Sequence, residues 1–92
     1  MAKLIVNVGS TSVKTQLFDE NLVVKATLNA DYGATDGLSI SGNNFQNETF
    51  FYHDKTIHDA KNTLTILYSQ WQNWLSENHL TLSAIGHRVV HG

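Results

Sequence analysis

Small hydroxylated residues and a glycine occupy the first predicted hairpin of the chain, where they could bind an anion. The stretch runs from Asn7 to Ser12, contains Gly9, and is followed by Lys14. Glycine lets neighbouring backbone N–H groups converge on one point, serine and threonine hydroxyls add donors, and lysine adds positive charge. The pattern indicates a phosphate-binding loop. The same residue types also suit an ordinary hairpin turn, so the stretch alone leaves both interpretations open.

A second group of polar residues lies at the other end of the chain. His87, Arg88 and His91 follow an apolar segment. The planar guanidinium of arginine binds a carboxylate or a phosphate through two parallel hydrogen bonds, which lysine cannot reproduce. Ligand sites of α/β sheets lie at strand ends, which favours a functional role for Arg88. The alternatives are a solvated ion pair for Arg88 and structural hydrogen bonds for the two histidines.

Short apolar runs on both sides of the opening loop predict an antiparallel β-meander. The three predicted strands contain residues 4–6, 13–17 and 22–30. Residues 31–44 contain three of the six glycines and show no clear period, so we expect an exposed loop there. Residues 45–53 are expected to form a fourth extended segment.

Residues 56–78 change to a spacing of three and four, which predicts one amphipathic helix. Its apolar face contains Ile57, Ala60, Leu64, Leu67, Tyr68, Trp71, Trp74 and Leu75. We expect both tryptophans to pack in the core rather than form an exposed stacking surface. Thr56 and Asp59 resemble a capping pair at the helix start. Residues 80–92 return to an apolar pattern and predict a last strand.

This order of elements predicts an α/β fold, with an antiparallel β-meander followed by a crossover helix and a further strand. The 92 residues suffice for one domain at most. One helix covers one face of a sheet. We therefore expect the other face, and the edge beyond the last strand, to need a covering that these residues do not supply.

Composition argues against several classes of function. The formal net charge is -2 and the six basic residues are scattered, which does not suit a nucleic-acid or anionic-membrane surface. No apolar run approaches the length of a membrane span, so we expect a cytoplasmic protein. The absence of cysteine and the separation of the histidines do not suit a zinc site.

The two polar stretches together resemble the acetate kinase family. The sequence NVGSTSVKTQLFD resembles the family signature Asn-x-Gly-Ser-Ser-Ser-x-Lys, with Thr11 in place of a serine. The sequence AIGHRVVHG is similar to a second signature, Gly-His-Arg-Val-Val-His-Gly-Gly, without its final glycine. The family belongs to the short-chain carboxylate kinases, which share the actin, Hsp70 and sugar kinase fold. The resemblance implies that residues 1–92 are an incomplete, N-terminal part of its first, ribonuclease-H-like domain.

The resemblance also implies roles for individual residues. Asn7 would position a magnesium ion, Lys14 would lie near the nucleotide phosphates, and Ser10 and Ser12 would shape the phosphate-facing hairpin. Arg88 would bind the carboxylate substrate or its acyl phosphate. The implied substrates are ATP or ADP with acetate or acetyl phosphate, the cofactor is Mg²⁺, and the full-length protein would be a homodimer.

The same resemblance places the family's catalytic aspartate, transition-state histidine and second arginine beyond residue 92. No catalytic residue is therefore expected within this chain, and we expect it to be inactive alone. Two alternatives stay open: a propionate or other short-chain carboxylate kinase, and a non-catalytic interaction module or relic that kept the fold.

Overall fold

Apolar residues at every second position place the first half of the chain in a β-sheet. The computed structural model describes residues 2–33, 35–45 and 48–89, and within them six strands and one helix form. The strands are β1 (Ala2–Val8), β2 (Ser12–Phe18), β3 (Val24–Asp31), β4 (Leu38–Phe45), β5 (Glu48–Asp54) and β6 (Leu82–Val89), and the helix is α1 (Ala60–Glu77).

The six strands join one sheet in the order β5-β4-β3-β2-β1-β6. Neighbouring strands from β1 to β5 are antiparallel, whereas β6 pairs with β1 in parallel. Helix α1 follows β5 at one edge of this sheet and precedes β6 at the other, so it forms the crossover. The predicted α/β fold is confirmed, and both candidate stretches come to neighbouring strands, β1, β2 and β6.

The loop predicted for residues 31–44 is wrong in its second part, because Leu38–Phe45 forms strand β4. Leu38 and Ile40 are fully buried, and polar residues alternate with them. Only Leu38 and Ile40 form an alternating apolar pattern in the strand, whereas the serine, glycine and asparagine around them favour turns. Pairing with β3 and β5 decides the structure instead. The extended segment predicted at residues 45–53 is confirmed as β5.

Helix α1 begins at Ala60, later than the predicted residue 56, because Asp59 is its N-cap. The Asp59 carboxylate accepts a hydrogen bond from the backbone N–H of Asn62 at 3.3 Å. Thr56 instead donates its hydroxyl to the Asp54 carboxylate at 2.6 Å. This bond and a second from the Thr56 backbone lower the pKa of Asp54. The predicted capping pair of Thr56 and Asp59 is therefore wrong.

The other end of the helix is closed by a Schellman motif in which His79 takes the left-handed position that glycine usually holds. The φ angle of His79 is 55°. The backbone N–H of Leu80 donates to the Leu75 carbonyl at 2.9 Å, and that of His79 donates to the Ser76 carbonyl at 3.2 Å. The motif ends the helix and turns the chain back toward β6.

One face of the sheet packs against α1 and forms the core. Trp71 and Trp74 are 1% and 6% exposed, which confirms that they belong to the core. The indole N–H of Trp71 donates to the Thr15 hydroxyl at 2.8 Å, and that hydroxyl donates to the Leu28 carbonyl at 2.7 Å. These buried hydrogen bonds connect the helix to β2 and β3.

The opposite face of the sheet, hereafter the open face, carries mainly polar side chains. In β2 and β3 its residues are Ser12, Lys14, Gln16, Phe18, Lys25, Thr27, Asn29 and Asp31. Water can therefore cover much of this face, contrary to the expectation that it needs a covering. The edge at β6 is different, because Ile85 is 46% exposed beside an apolar depression of about 270 Å³ between α1 and β6.

We predict that Thr15→Val lowers the free energy of unfolding by about 1 to 3 kcal/mol, because the change keeps the side-chain shape but removes the buried hydroxyl that accepts from the Trp71 N–H and donates to the Leu28 carbonyl. Thr27→Val is the matched control, since Thr27 lies half-buried on the open face of the neighbouring strand. Urea unfolding followed by tryptophan fluorescence measures both. Equal losses in the two variants would contradict a special role for the Thr15 hydroxyl.

We also predict that the chain self-associates through the β6 edge. Ile85→Lys should weaken self-association, because a charged side chain on an edge strand opposes pairing with a second sheet. Val23→Lys is the control, since Val23 is 54% exposed in the β2–β3 turn. Sedimentation across a wide concentration range measures the effect. A monomeric parent chain, or an equal effect of both variants, would argue against this edge.

Candidate phosphate-binding site

The β1–β2 hairpin tip contains the glycine and hydroxylated residues of the opening stretch. The Gly9 N–H donates to the Ser12 carbonyl at 2.8 Å and closes the turn, so this amide is used inside the hairpin and does not point to a ligand. Ser10 and Thr11 are exposed at the tip. A Cβ at Gly9 would lie 3.4 Å from Ser12 Oγ, an ordinary contact. Packing in this structure therefore does not require glycine at position 9.

Three of the predicted site residues share one row across the sheet. Asn7 in β1 lies opposite Lys14 in β2, and on its other side the backbone of Arg88 in β6 is its parallel partner. Adjacent strands lie about 4.8 Å apart. The structure thus brings the two sequence motifs side by side, while Ser10 and Ser12 lie at the hairpin end next to this row. His91 lies outside the described residues.

The row continues onto β3 and β4, which contain neither of the two sequence motifs. Lys14 lies opposite Asn29 in β3, which in turn lies opposite Ser41 in β4. Two pairs closer to the hairpin tip, on the same face of the sheet, Ser12 pairs with Asp31. These rows border a depression of about 320 Å³ on the open face, lined by Ser12, Lys14, Asn29, Ala30, Asp31, Ser39, Ile40 and Ser41. It extends the candidate site from the hairpin toward β4.

The electrostatics of this depression depend on one lysine and one carboxylate. Lys14 is exposed and forms no ion pair with any residue that the structure describes. Asp31 accepts a hydrogen bond from the Gly33 backbone N–H at 3.0 Å. The hydroxyls and the amide around Lys14 add hydrogen-bond donors, so the depression can accept an oxyanion at its Lys14 side.

Sequence reasoning missed Asn29, Ser39 and Ser41 because it placed the last two in a loop. Nothing in a single serine marks it as part of a site, and only the pairing of β3 with β4 brings these residues to Lys14. A strand prediction from the alternation of Leu38 and Ile40 would have supplied the missing signal.

A metal site is not evident among the residues described: they contain no group of three or more histidine, aspartate or glutamate side chains that could hold an ion. The magnesium role of Asn7 stays a prediction. Within the same residues, no helix has the length and apolar character needed to cross a membrane.

Comparison with known proteins gives concordant results. Residues 2–92 match the model of the Acetokinase family. An acetate kinase of Campylobacter jejuni subsp. doylei is 30% identical over 93 aligned residues, which cover all of this chain and 23% of that protein. A second Campylobacter jejuni acetate kinase is 29% identical with the same coverage.

A solved structure shows the same fold. The crystal structure of a propionate kinase from Francisella tularensis superposes with a TM-score of 0.74 and 28% identity, over 99% of this chain and 23% of that one. The chain therefore spans about 23% of the length of the relatives that it matches.

Proposed function

The chain belongs to the Acetokinase family, and from this premise we propose that it is the N-terminal part of an acetate kinase, which transfers a phosphoryl group between ATP and acetate. The observation that carries the proposal is a row of three residues on adjacent strands: Lys14 in β2, Asn7 in β1 and Arg88 in β6. Two motifs from opposite ends of the chain meet there, at the row where a nucleotide and a carboxylate would have to meet.

The residues of the hairpin would bind the nucleotide. Lys14 supplies a positive charge toward the phosphates, while the Ser10 and Ser12 hydroxyls can donate hydrogen bonds to phosphate oxygens. The half-buried Asn7 offers an amide oxygen, which suits Mg²⁺ because this ion prefers oxygen ligands and is commonly shared with substrate phosphates. When bound, the ion would neutralise charge on the transferred phosphoryl group.

Arg88 would bind the carboxylate through its two-pronged guanidinium. In-line phosphoryl transfer depends on alignment and on positive charge near the equatorial oxygens. The position of Arg88 next to Asn7 in the sheet would place the acceptor beside the nucleotide phosphates. The site still needs further groups, so we propose that the 92 residues alone do not catalyse the reaction.

Propionate is the second candidate substrate, because the superposed Francisella tularensis protein is a propionate kinase. A non-catalytic module that kept the fold is the third candidate.

We further propose that the whole protein is a cytoplasmic homodimer that uses ATP and Mg²⁺. A test of function must distinguish these candidates in one assay.

We predict that the chain alone forms no acyl phosphate from ATP, Mg²⁺ and acetate, whereas a chimera does. In the chimera, these residues replace the matching segment of a Campylobacter jejuni acetate kinase. Hydroxylamine traps the acyl phosphate with acetate or propionate as the acceptor. Formation of acyl phosphate by the isolated chain would contradict the prediction that it is inactive alone. A folded chimera without activity would favour the non-catalytic module, and a preference for propionate would favour the second candidate.

We predict that Arg88→Lys in the active chimera lowers kcat/KM for acetate roughly ten- to hundredfold, which corresponds to a charge-assisted hydrogen bond of about 1.5 to 3 kcal/mol. The KM for ATP should change little, because the lysine keeps the positive charge. Lys3→Arg is the control, since Lys3 is exposed at the other end of β1. Unchanged acetate kinetics with a lower melting temperature would instead indicate a structural ion pair.

A further inference from the structure

We propose that Tyr32 is a positioning residue that holds the tip of the β1–β2 hairpin in the geometry that would bind nucleotide phosphates. The inference rests on the proposed role of the hairpin in nucleotide binding. Tyr32 is not in either sequence motif and follows the last residue of β3. It contacts both sides of the hairpin turn, and a structural role in the core does not require those contacts.

Both hydrogen-bond donors of Tyr32 bond to the hairpin. Its backbone N–H donates to the Thr11 carbonyl at 2.9 Å, and its phenol O–H donates to the Gly9 carbonyl at 3.2 Å. The side chain is 7% exposed, so the ring is fixed in the core while its hydroxyl reaches the turn. Ser10, the exposed residue at the tip, lies between the two carbonyls that accept these bonds.

The residues on either side of Tyr32 also fit against the hairpin. Asp31 pairs with Ser12 in the β2–β3 ladder. At Gly33, an added Cβ would lie 2.6 Å from Thr11 Cβ, so only glycine permits this approach without a shift. The Asp31 carboxylate accepts the Gly33 N–H and fixes the turn after β3. Asp31, Tyr32 and Gly33 thus all lie against residues 9–12 of the hairpin.

The support from Tyr32 matters because the tip is exposed to solvent. Gly9 bonds to Ser12 across the turn, but Ser10 and Thr11 are exposed, and a glycine adds freedom to the backbone. A phosphate site is effective when its donors are held in place before the ligand arrives. The competing explanation is that the Tyr32 hydroxyl needs a hydrogen-bond acceptor because it is buried, and that its bond to the Gly9 carbonyl has no effect on the hairpin.

Tyr32→Phe separates the two explanations, because it keeps the buried ring and the backbone bond but removes the bond to Gly9. We expect amide hydrogen exchange of Gly9 to become roughly two- to tenfold faster, the effect of losing one hydrogen bond. Exchange of core amides such as that of Leu4 should stay unchanged. Tyr68→Phe is the matched control, since it removes a phenol hydroxyl from α1, outside the hairpin.

A titration of the same 92-residue chain with ATP and Mg²⁺, followed by the amide signals of residues 10–12, tests the link to binding. We expect a shift in the parent chain and in Tyr68→Phe, and a roughly two- to tenfold weaker apparent affinity in Tyr32→Phe. Unchanged Gly9 exchange in Tyr32→Phe rejects positioning by Tyr32. Faster exchange with unchanged affinity also overturns the inference, because the hydroxyl would then hold the turn without serving the site.

The two failures are distinguishable. If the parent chain shows no ATP-dependent shift at residues 10–12, the proposed nucleotide role of the hairpin is rejected, and the positioning role for that ligand is rejected with it. If the parent chain binds ATP but Tyr32→Phe behaves like Tyr68→Phe in both measurements, the proposed function stands and only the inference about Tyr32 fails.

Discussion

The hydrogen bond between Trp71 and Thr15 fixes how the helix lies on the sheet. Both side chains are almost completely inaccessible to water, and the Thr15 hydroxyl accepts from the indole while it donates to a carbonyl of β3. A buried polar pair that fits one register leaves unsatisfied groups in any other. The bond therefore helps to select one alignment of helix, β2 and β3, in addition to the non-directional burial of the surrounding apolar residues.

The same alignment decides what β2 presents to the open face. Successive side chains of a strand point to opposite faces, so with Thr15 held under the helix, Ser12, Lys14 and Gln16 belong to the other side. A slip of one residue would bury Lys14 and expose Thr15. The chemistry proposed for the open face thus depends on packing at the helix face, although no residue belongs to both. The separate pairing of β1 with β2 then places Lys14 opposite Asn7.

The amino-acid sequence is sufficient to predict the elements with strong periodicity. The β1–β3 meander, the amphipathic helix and the buried tryptophans all follow from spacing. The two polar motifs are assigned through their resemblance to the family signatures, because their residue types alone also suit an ordinary hairpin turn and a solvated arginine. Strand β4 was missed because the short alternation of Leu38 and Ile40 with serines carries too little signal against the turn propensity of the residues around it. The contact of the Tyr32 hydroxyl with Gly9 joins positions that are distant in sequence, and no local pattern specifies which carbonyl a tyrosine will reach. Likewise, the row of Asn7 and Arg88 depends on a pairing between the first and last strands.

The geometry of that row also explains why the proposed reaction needs more than this segment. Asn7, Lys14 and Arg88 belong to adjacent strands of one sheet, so their positions form a line along one surface. In-line transfer places the attacking and leaving oxygens on opposite sides of the phosphoryl group, with charge spread over the oxygens between them. Groups that approach from a single surface can bind and align the reactants, but they cannot surround that charge. For the proposed reaction, positive or hydrogen-bonding groups outside these three strands would have to face the row, and the proposed site would then form one wall of an active-site cleft.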